Sequence, residues 1–162
     1  MKVSSAFVAL TFGMMVAGCE TTAEPTPSGS DLSRNLLAGE LAVQTFGVCM
    51  STAANGFAGA EAAFAQLGMT RTATGVWVSG PMGASVRASG GKRGCLVSTK
   101  GPTQAQLSSM IERRLTETFG SNWRKATDAK GNSYRIPRMN NLTVILPAPS
   151  PDGQVSLLAL QE

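Results

Sequence analysis

The chain has 162 residues, of which 43% are hydrophobic and 15% charged, with 14 Lys and Arg against 10 Asp and Glu and no histidine. That length suits one domain with a substantial core. Without an imidazole there is no histidine general base, no zinc-protease helix and no Ser-His or Cys-His nucleophile pair, so the commonest hydrolase chemistries are excluded.

In chain order the first feature is a short positive and apolar segment. Lys2 supplies the charge, Ala6 to Ala17 supply the apolar run, and the small residues Ala17 and Gly18 precede Cys19. Val16-Ala17-Gly18-Cys19 resembles the lipobox of bacterial lipoproteins. The resemblance implies that residues 1–18 are a signal peptide and that Cys19 becomes the mature N-terminus. Its thiol and amine would then carry acyl chains, palmitate among them, that hold the protein on the lipid bilayer. Two chains anchor a protein stably where one binds only marginally. A spanning helix needs roughly 20 apolar residues. The stretch from Val3 to Gly18 is shorter, and Ser4, Ser5, Thr11 and Gly13 interrupt it. In that family an Asp after the cysteine favours the inner membrane, so Glu20 implies the outer membrane, with the domain facing the periplasm.

Removing residues 1–18 leaves 144, read as a lipidated tether over 19–30 and a single domain over 31–162. Glu20 to Ser30 is rich in Thr, Pro, Ser and Gly, and an extended chain of that length spans at most about 35 Å. Asp31 or Ser33 is expected to N-cap a helix that runs to about Met50. Leu36, Val43, Phe46 and Met50 follow helical spacing and Leu37, Leu41 and Val48 widen the stripe, so this whole face is expected to pack. A shorter helix fits Gly59 to Leu67, with Phe57, Phe64 and Leu67 on its buried side and Gly68 as its C-cap.

From Thr72 the period changes to two. Residues 75–78, 84–88 and 95–99 alternate between turn sequences, which predicts an antiparallel meander. Trp77 alternates with Val76 and Val78, so it faces either the helices or the open side of the sheet, and on the open side it would be a partner contact. Thr103 with Gln106 forms a capping-box pattern opening a helix that Gly120 ends, with Leu107, Met110, Ile111, Leu115, Thr118 and Phe119 on its inner face. Residues 123–127 and 133–136 flank one turn, and 142–146 and 154–160 flank Pro151-Asp152-Gly153. The predicted fold class is α+β, an antiparallel β-sheet of about five to seven strands with two or three helices packed on one face. No internal repeat is evident.

With Cys19 assigned to lipid, Cys49 and Cys95 are left as a disulfide pair suited to an oxidising compartment. No Cys-x-x-Cys spacing is present for redox work. Charge is unevenly placed. Residues 71–138 carry 12 Lys and Arg against Glu112, Glu117 and Asp128. Residues 19–70 have only Arg34 against Glu20, Glu24, Asp31, Glu40 and Glu61. Such asymmetry suits an acidic envelope protein, an anionic envelope polymer or an anionic membrane surface. No nucleic acid is expected, since no basic strand is studded with aromatics.

No cofactor motif and no metal-ligand set is evident. Glu40, Glu61, Glu112 and Glu117 fall on helices with no spacing that sets two of them across a cleft. Ser89 and Lys92 formally match Ser-x-x-Lys, but Gly90-Gly91 between them makes a hairpin turn. Arg93 stands where a phosphate loop needs Ser or Thr. Val86-Arg87-Ala88-Ser89-Gly90-Gly91-Lys92 resembles the Ser-Gly loop of bacterial membrane-bound lysozyme inhibitors. That resemblance implies that Ser89 and Lys92 enter a lysozyme cleft, and Arg93-Gly94 stand where that family has an aromatic just after its loop. The expected function is a non-enzymatic, lipid-anchored binding module of the envelope, contacting its partner through Trp77, Ser89, Lys92 and Arg93. The alternatives are an inhibitor of a lytic enzyme and an enzyme dependent on a carboxylate or serine.

Overall fold

The computed structural model describes residues 29–89 and 91–161, with the side chains of 33–88 and 91–161. The expected signal peptide over 1–18, Cys19 and most of the expected tether lie outside the described residues. The elements in order are helix α1 (Gly29–Thr52), a 3-10 turn (Ala53–Asn55), helix α2 (Ala60–Gln66), strands β1 (Thr70–Arg71), β2 (Trp77–Ser79), β3 (Met82–Ser89) and β4 (Lys92–Lys100), helix α3 (Gln104–Phe119), and strands β5 (Arg124–Asp128), β6 (Gly131–Ile136), β7 (Leu142–Pro147) and β8 (Gln154–Leu160). The strands form one antiparallel sheet in the order β1-β2-β3-β4-β8-β7-β6-β5, with the helices on one face. This is the expected α+β architecture with one strand more than anticipated. The two-residue β1 is too short to show an alternation.

The order repeats itself. A helix followed by four strands occurs twice, α1 to β4 and α3 to β8, and the two last strands, β4 and β8, pair at the centre. Hydrophobic patterning alone does not reveal this repeat, because α2 intervenes only in the first half.

The core lies between the helices and the inner face of the sheet. Phe46, Cys49 and Met50 of α1, Phe64 of α2 and Leu107, Ile111 and Leu115 of α3 meet Val97, Leu157, Val144, Leu146, Tyr134 and Ile136. The Cys49–Cys95 disulfide joins α1 to the central strand β4, with Cα atoms 5.6 Å apart and both residues fully buried.

Local signals act as the side-chain chemistry requires. Thr103 accepts from the Gln106 N–H while the Gln106 side chain accepts from the Thr103 N–H, so two unpaired donors of the first turn of α3 are satisfied reciprocally. At the end of α2 the Gly68 N–H reaches Ala65 O and the Met69 N–H reaches Phe64 O, with Gly68 left-handed at φ +77° and Met69 folded into the core.

Several expectations are corrected. Asp31 and Ser33 lie inside α1, which begins at Gly29, so Gly29 and Ser30 belong to the helix and not to the tether. Leu36, Leu37 and Leu41 were expected in the packed stripe, but they are 45%, 67% and 41% exposed. The sheet and α3 cover the face centred on Phe46, and the N-terminal leucines point elsewhere. Leu67 is 40% exposed because the chain turns at Gly68 before it can pack, and Thr118 is exposed beside half-buried Phe119.

Candidate functional site

Two groupings of side chains stand out, one on each side of the sheet. On the inner side, at the β5–β6 end, Tyr134 is fully buried and its Oη lies 2.7 Å from Ser108 Oγ of α3. Three donors surround Glu112 Oε1: Lys125 Nζ at 2.7 Å, Ser108 Oγ at 2.9 Å and Tyr134 Oη at 3.1 Å. Asn132 Nδ2 donates to Ser108 Oγ at 3.1 Å, and Trp123 packs edge-on to Tyr134 with ring centroids 5.9 Å apart. A hollow of about 430 Å³ opens beside Ser108, Glu112, Lys125 and Asn132.

Electrostatics fix the protonation states of this cluster. Burial pushes the Tyr134 phenol up to about 12, and the neighbouring Glu112 charge acts in the same direction against the Ser108 hydrogen bond. Burial alone would raise the Glu112 carboxyl, but the hydrogen bonds from Lys125, Ser108 and Tyr134 and the charge of Lys125 outweigh it and leave it below 4.5. Tyr134 is therefore a proton donor and not a base at neutral pH, and the Ser108 hydroxyl is committed to its three neighbours. Chemically the cluster is a pin that locks α3 onto β5 and β6, with every polar group partnered.

The pin carries a pH signature. A group whose folded pKa is raised keeps its stabilisation below the unfolded value, near 10 for this phenol, and loses it as pH climbs through the folded value near 12. Over that window Tyr134 accounts for a loss of at most about 3 kcal/mol, reduced by solvent screening near the cluster's open side. Glu112 works in the opposite range, its contribution present above 4.5 and lost as pH falls through its lower folded value. Tyr134 is the single tyrosine, so phenolate absorbance reads it alone. The titration midpoint is expected near 12, and Tyr134→Phe is expected to flatten the alkaline loss of stability at a cost of about 1–3 kcal/mol near neutrality. A midpoint near 10 in the folded protein would contradict the geometry.

The second grouping lies on the sheet face that no helix among the described residues covers. Register sets its rows. Ser85, Leu96, Leu158, Ile145 and Ser133 align across β3, β4, β8, β7 and β6. The next row is Arg87, Gly94, Leu160, Thr143, Arg135 and Arg124. The four apolar side chains Leu96, Leu158, Ile145 and Leu160 are only half-buried, and Arg87, Arg124 and Arg135 are exposed. Four strand spacings separate Arg87 from Arg135, about 19 Å. Lys92 is two residues beyond Gly94 on β4, so it shares this face and is exposed. Asp128 is the one acidic residue of β5 and shares the side of Arg124, at the far end of that edge strand. The face is thus an apolar centre with a basic row along one end.

The residues expected to make contacts divide between the two faces. Trp77 pairs with Ala84, which pairs with Val97, so the indole lies on the helix side and packs on the core. Its Nε1 is buried with no acceptor among the described residues. Arg93 points to the helix side and donates from Nη1 to Gly56 O at 3.0 Å. Ser89 pairs with Lys92 across the β3–β4 hairpin, and the Ser89 side chain lies outside the described residues. Cys49 and Cys95 are joined. Among the described residues no three His, Cys, Asp or Glu side chains gather as metal ligands. One helical span among the described residues, Ser33–Asn55, is long and apolar enough to cross a membrane by length and composition, and 44% of its most apolar 18-residue stretch is buried against the domain.

Ser108, Tyr134 and the uncovered leucines were not singled out from sequence. Ser108 sits beside Leu107 and one turn before Ile111 on the apolar side of α3, a polar residue at an inner position. The runs Leu142 to Leu146 and Val155 to Leu160 are apolar at both parities, the signal of a strand that presents apolar groups to both faces. No protein-family model matches the chain, and no curated protein and no solved structure is significantly similar to it.

Proposed function

We propose that the protein is a lipid-anchored envelope protein, held on the periplasmic side of the outer membrane through Cys19, whose domain binds an acidic partner protein without catalysis. The observation that carries the binding reading is the uncovered sheet face, where Leu96, Leu158, Ile145 and Leu160 lie beside Arg87, Lys92, Arg124 and Arg135. Desolvated apolar side chains supply affinity and a rim of one sign selects the partner and speeds its approach. A second copy seated with like ends together would set basic row against basic row, and a basic row favours a different, acidic chain. The buried disulfide supports an oxidising compartment, and the lipobox resemblance supports the anchor.

The test is crosslinking in cells with the full-length protein, comparing wild type, Arg87→Glu/Arg124→Glu and Cys19→Ala. Both arginines are exposed, so the double variant should keep its stability within about 0.5 kcal/mol. An acidic protein captured by wild type should be captured at least about tenfold less by the double variant, with an affinity that falls as salt rises. Equal capture by both would overturn the assignment of this face, and capture of a polyanionic glycan alone would overturn the protein partner. The Cys19→Ala comparison reads the anchor separately.

A further inference from the structure

The exposed leucines of α1 point to a second contact, and it rests on the proposed anchor at Cys19. We propose that Leu37 and Leu41, with Leu36 on their flank toward α3, form a ridge that lies in the interface of the bilayer to which the chain is tethered. Leu37 and Leu41 stand one turn apart on the side of α1 opposite Phe46, with Gln44 exposed a turn further on. The buried half of the helix faces the sheet, so this ridge has no protein partner among the described residues.

Tether length selects the occupant. Ten residue steps separate Cys19 from Gly29, which limits the reach from the acylated cysteine to the start of α1 to about 36 Å. Leu37 lies a further 12 Å or so along the helix axis. Because α1 is the first element after the tether, its start cannot stand farther than that reach from the lipid. At such separations a tethered group meets its target at an effective concentration on the order of millimolar, so weak interfacial binding is populated. Arg113 and Arg114 of α3 border the groove beside this ridge, where long basic side chains can reach headgroups while leucines enter the acyl boundary. Glu40, 3.9 Å from Arg113, and Glu117, 3.8 Å from Arg114, offset part of that charge, so the contact is mainly apolar.

A helix pair with a second copy fits less well. The ridge ends at Gln44 and does not continue over the several heptads a helix seam requires. Its exposed apolar area is on the order of 300 Å², against the roughly 1,200 Å² that a stable dimer buries. The consequence for the proposed function is orientation, since a seated α1 would fix which way the uncovered sheet face looks.

The experiment uses full-length lipidated protein in vesicles of phosphatidylethanolamine and phosphatidylglycerol with brominated acyl chains. Fluorescence is compared among wild type, Leu37→Trp and Ala65→Trp, the last on the exposed side of α2. The added signal of Leu37→Trp is expected to fall by about half or more, as suits a ring at the headgroup–acyl boundary, and that of Ala65→Trp to stay unquenched. Equal quenching at both positions, or none at position 37, would overturn the ridge. Crosslinked pairs through position 37 without quenching would overturn it in favour of a second copy. The mass of the Cys19 peptide from the same sample reports acylation, so failure of the anchor and failure of the ridge are seen apart.

Discussion

Cys49→Ala/Cys95→Ala is expected to lower the free energy of unfolding by about 4 kcal/mol, since the bond closes a loop of 46 residues' separation and its removal restores that freedom to the unfolded chain. The place of the bond reinforces the effect. It ties α1, the first helix, to β4, the strand that pairs with β8 and so joins the two halves of the sheet. Without it α1 is held to the sheet by Phe46, Met50 and their neighbours alone. Urea unfolding of wild type and double variant at equal concentration measures the difference as a shift in midpoint at similar slope. A shift worth less than about 1 kcal/mol would mean that the unfolded chain is already compact around this loop. With the envelope location proposed above, such a dependence would also make correct folding conditional on export to an oxidising compartment.

Gly131→Ala is expected to cost more than about 3 kcal/mol, because steric conflict and backbone conformation both oppose it. Gly131 opens β6 at φ +130°, a region that side-chain-bearing residues avoid. An added Cβ would lie 2.3 Å from Leu146 O, 2.8 Å from Pro147 Cα and 2.9 Å from Ala148 N. Every obstructing atom is backbone, so no side-chain rotation relieves the conflict and β6 must part from β7. That would break the Ala148 N–H to Lys130 O bond at 2.8 Å and loosen the strand that carries Tyr134. Thermal unfolding measures the loss. The phenol titration should fall from near 12 toward the ordinary 10 as burial is lost. Gly153→Ala is the comparison, left-handed at φ +74° with no atom near the added Cβ, and it should cost only about 1 kcal/mol. Equal effects at the two positions would show that the close approach of Leu146 O is not what holds Gly131.

The candidate site was legible only in pieces. The Ser89 to Lys92 hairpin was readable because adjacent glycines supply the positive-φ backbone that a two-residue hairpin turn requires, and Lys92 does emerge exposed on it. The Glu112 cluster was not readable, because Glu112, Lys125 and Tyr134 come from three elements and meet only when α3 lies on β5 and β6. The uncovered face was readable as an excess of apolar residues in the last two strands but not as a surface, since alternation cannot say which face the helices take.

What the amino-acid sequence determined by itself was whatever depends on neighbours along the chain. The Thr103–Gln106 capping box, the Gly68 stop, the turns and the α+β pattern are set by contacts within a few residues, where local sterics and hydrogen bonds decide the outcome. The pairing of Cys49 with Cys95 followed from counting. Tertiary structure decided what depends on partners distant in sequence. It placed Trp77 on the helix side by pairing it with Ala84, centred the sheet on β4 and β8, and left Leu36, Leu37 and Leu41 uncovered on a helix whose apolar stripe promised burial. A stripe records that a helix carries apolar groups. Which of them are buried depends on which side of the helix the neighbouring layer meets: α3 reaches Gly39 through Met110, whereas Leu37 and Leu41 stand on the side opposite Phe46.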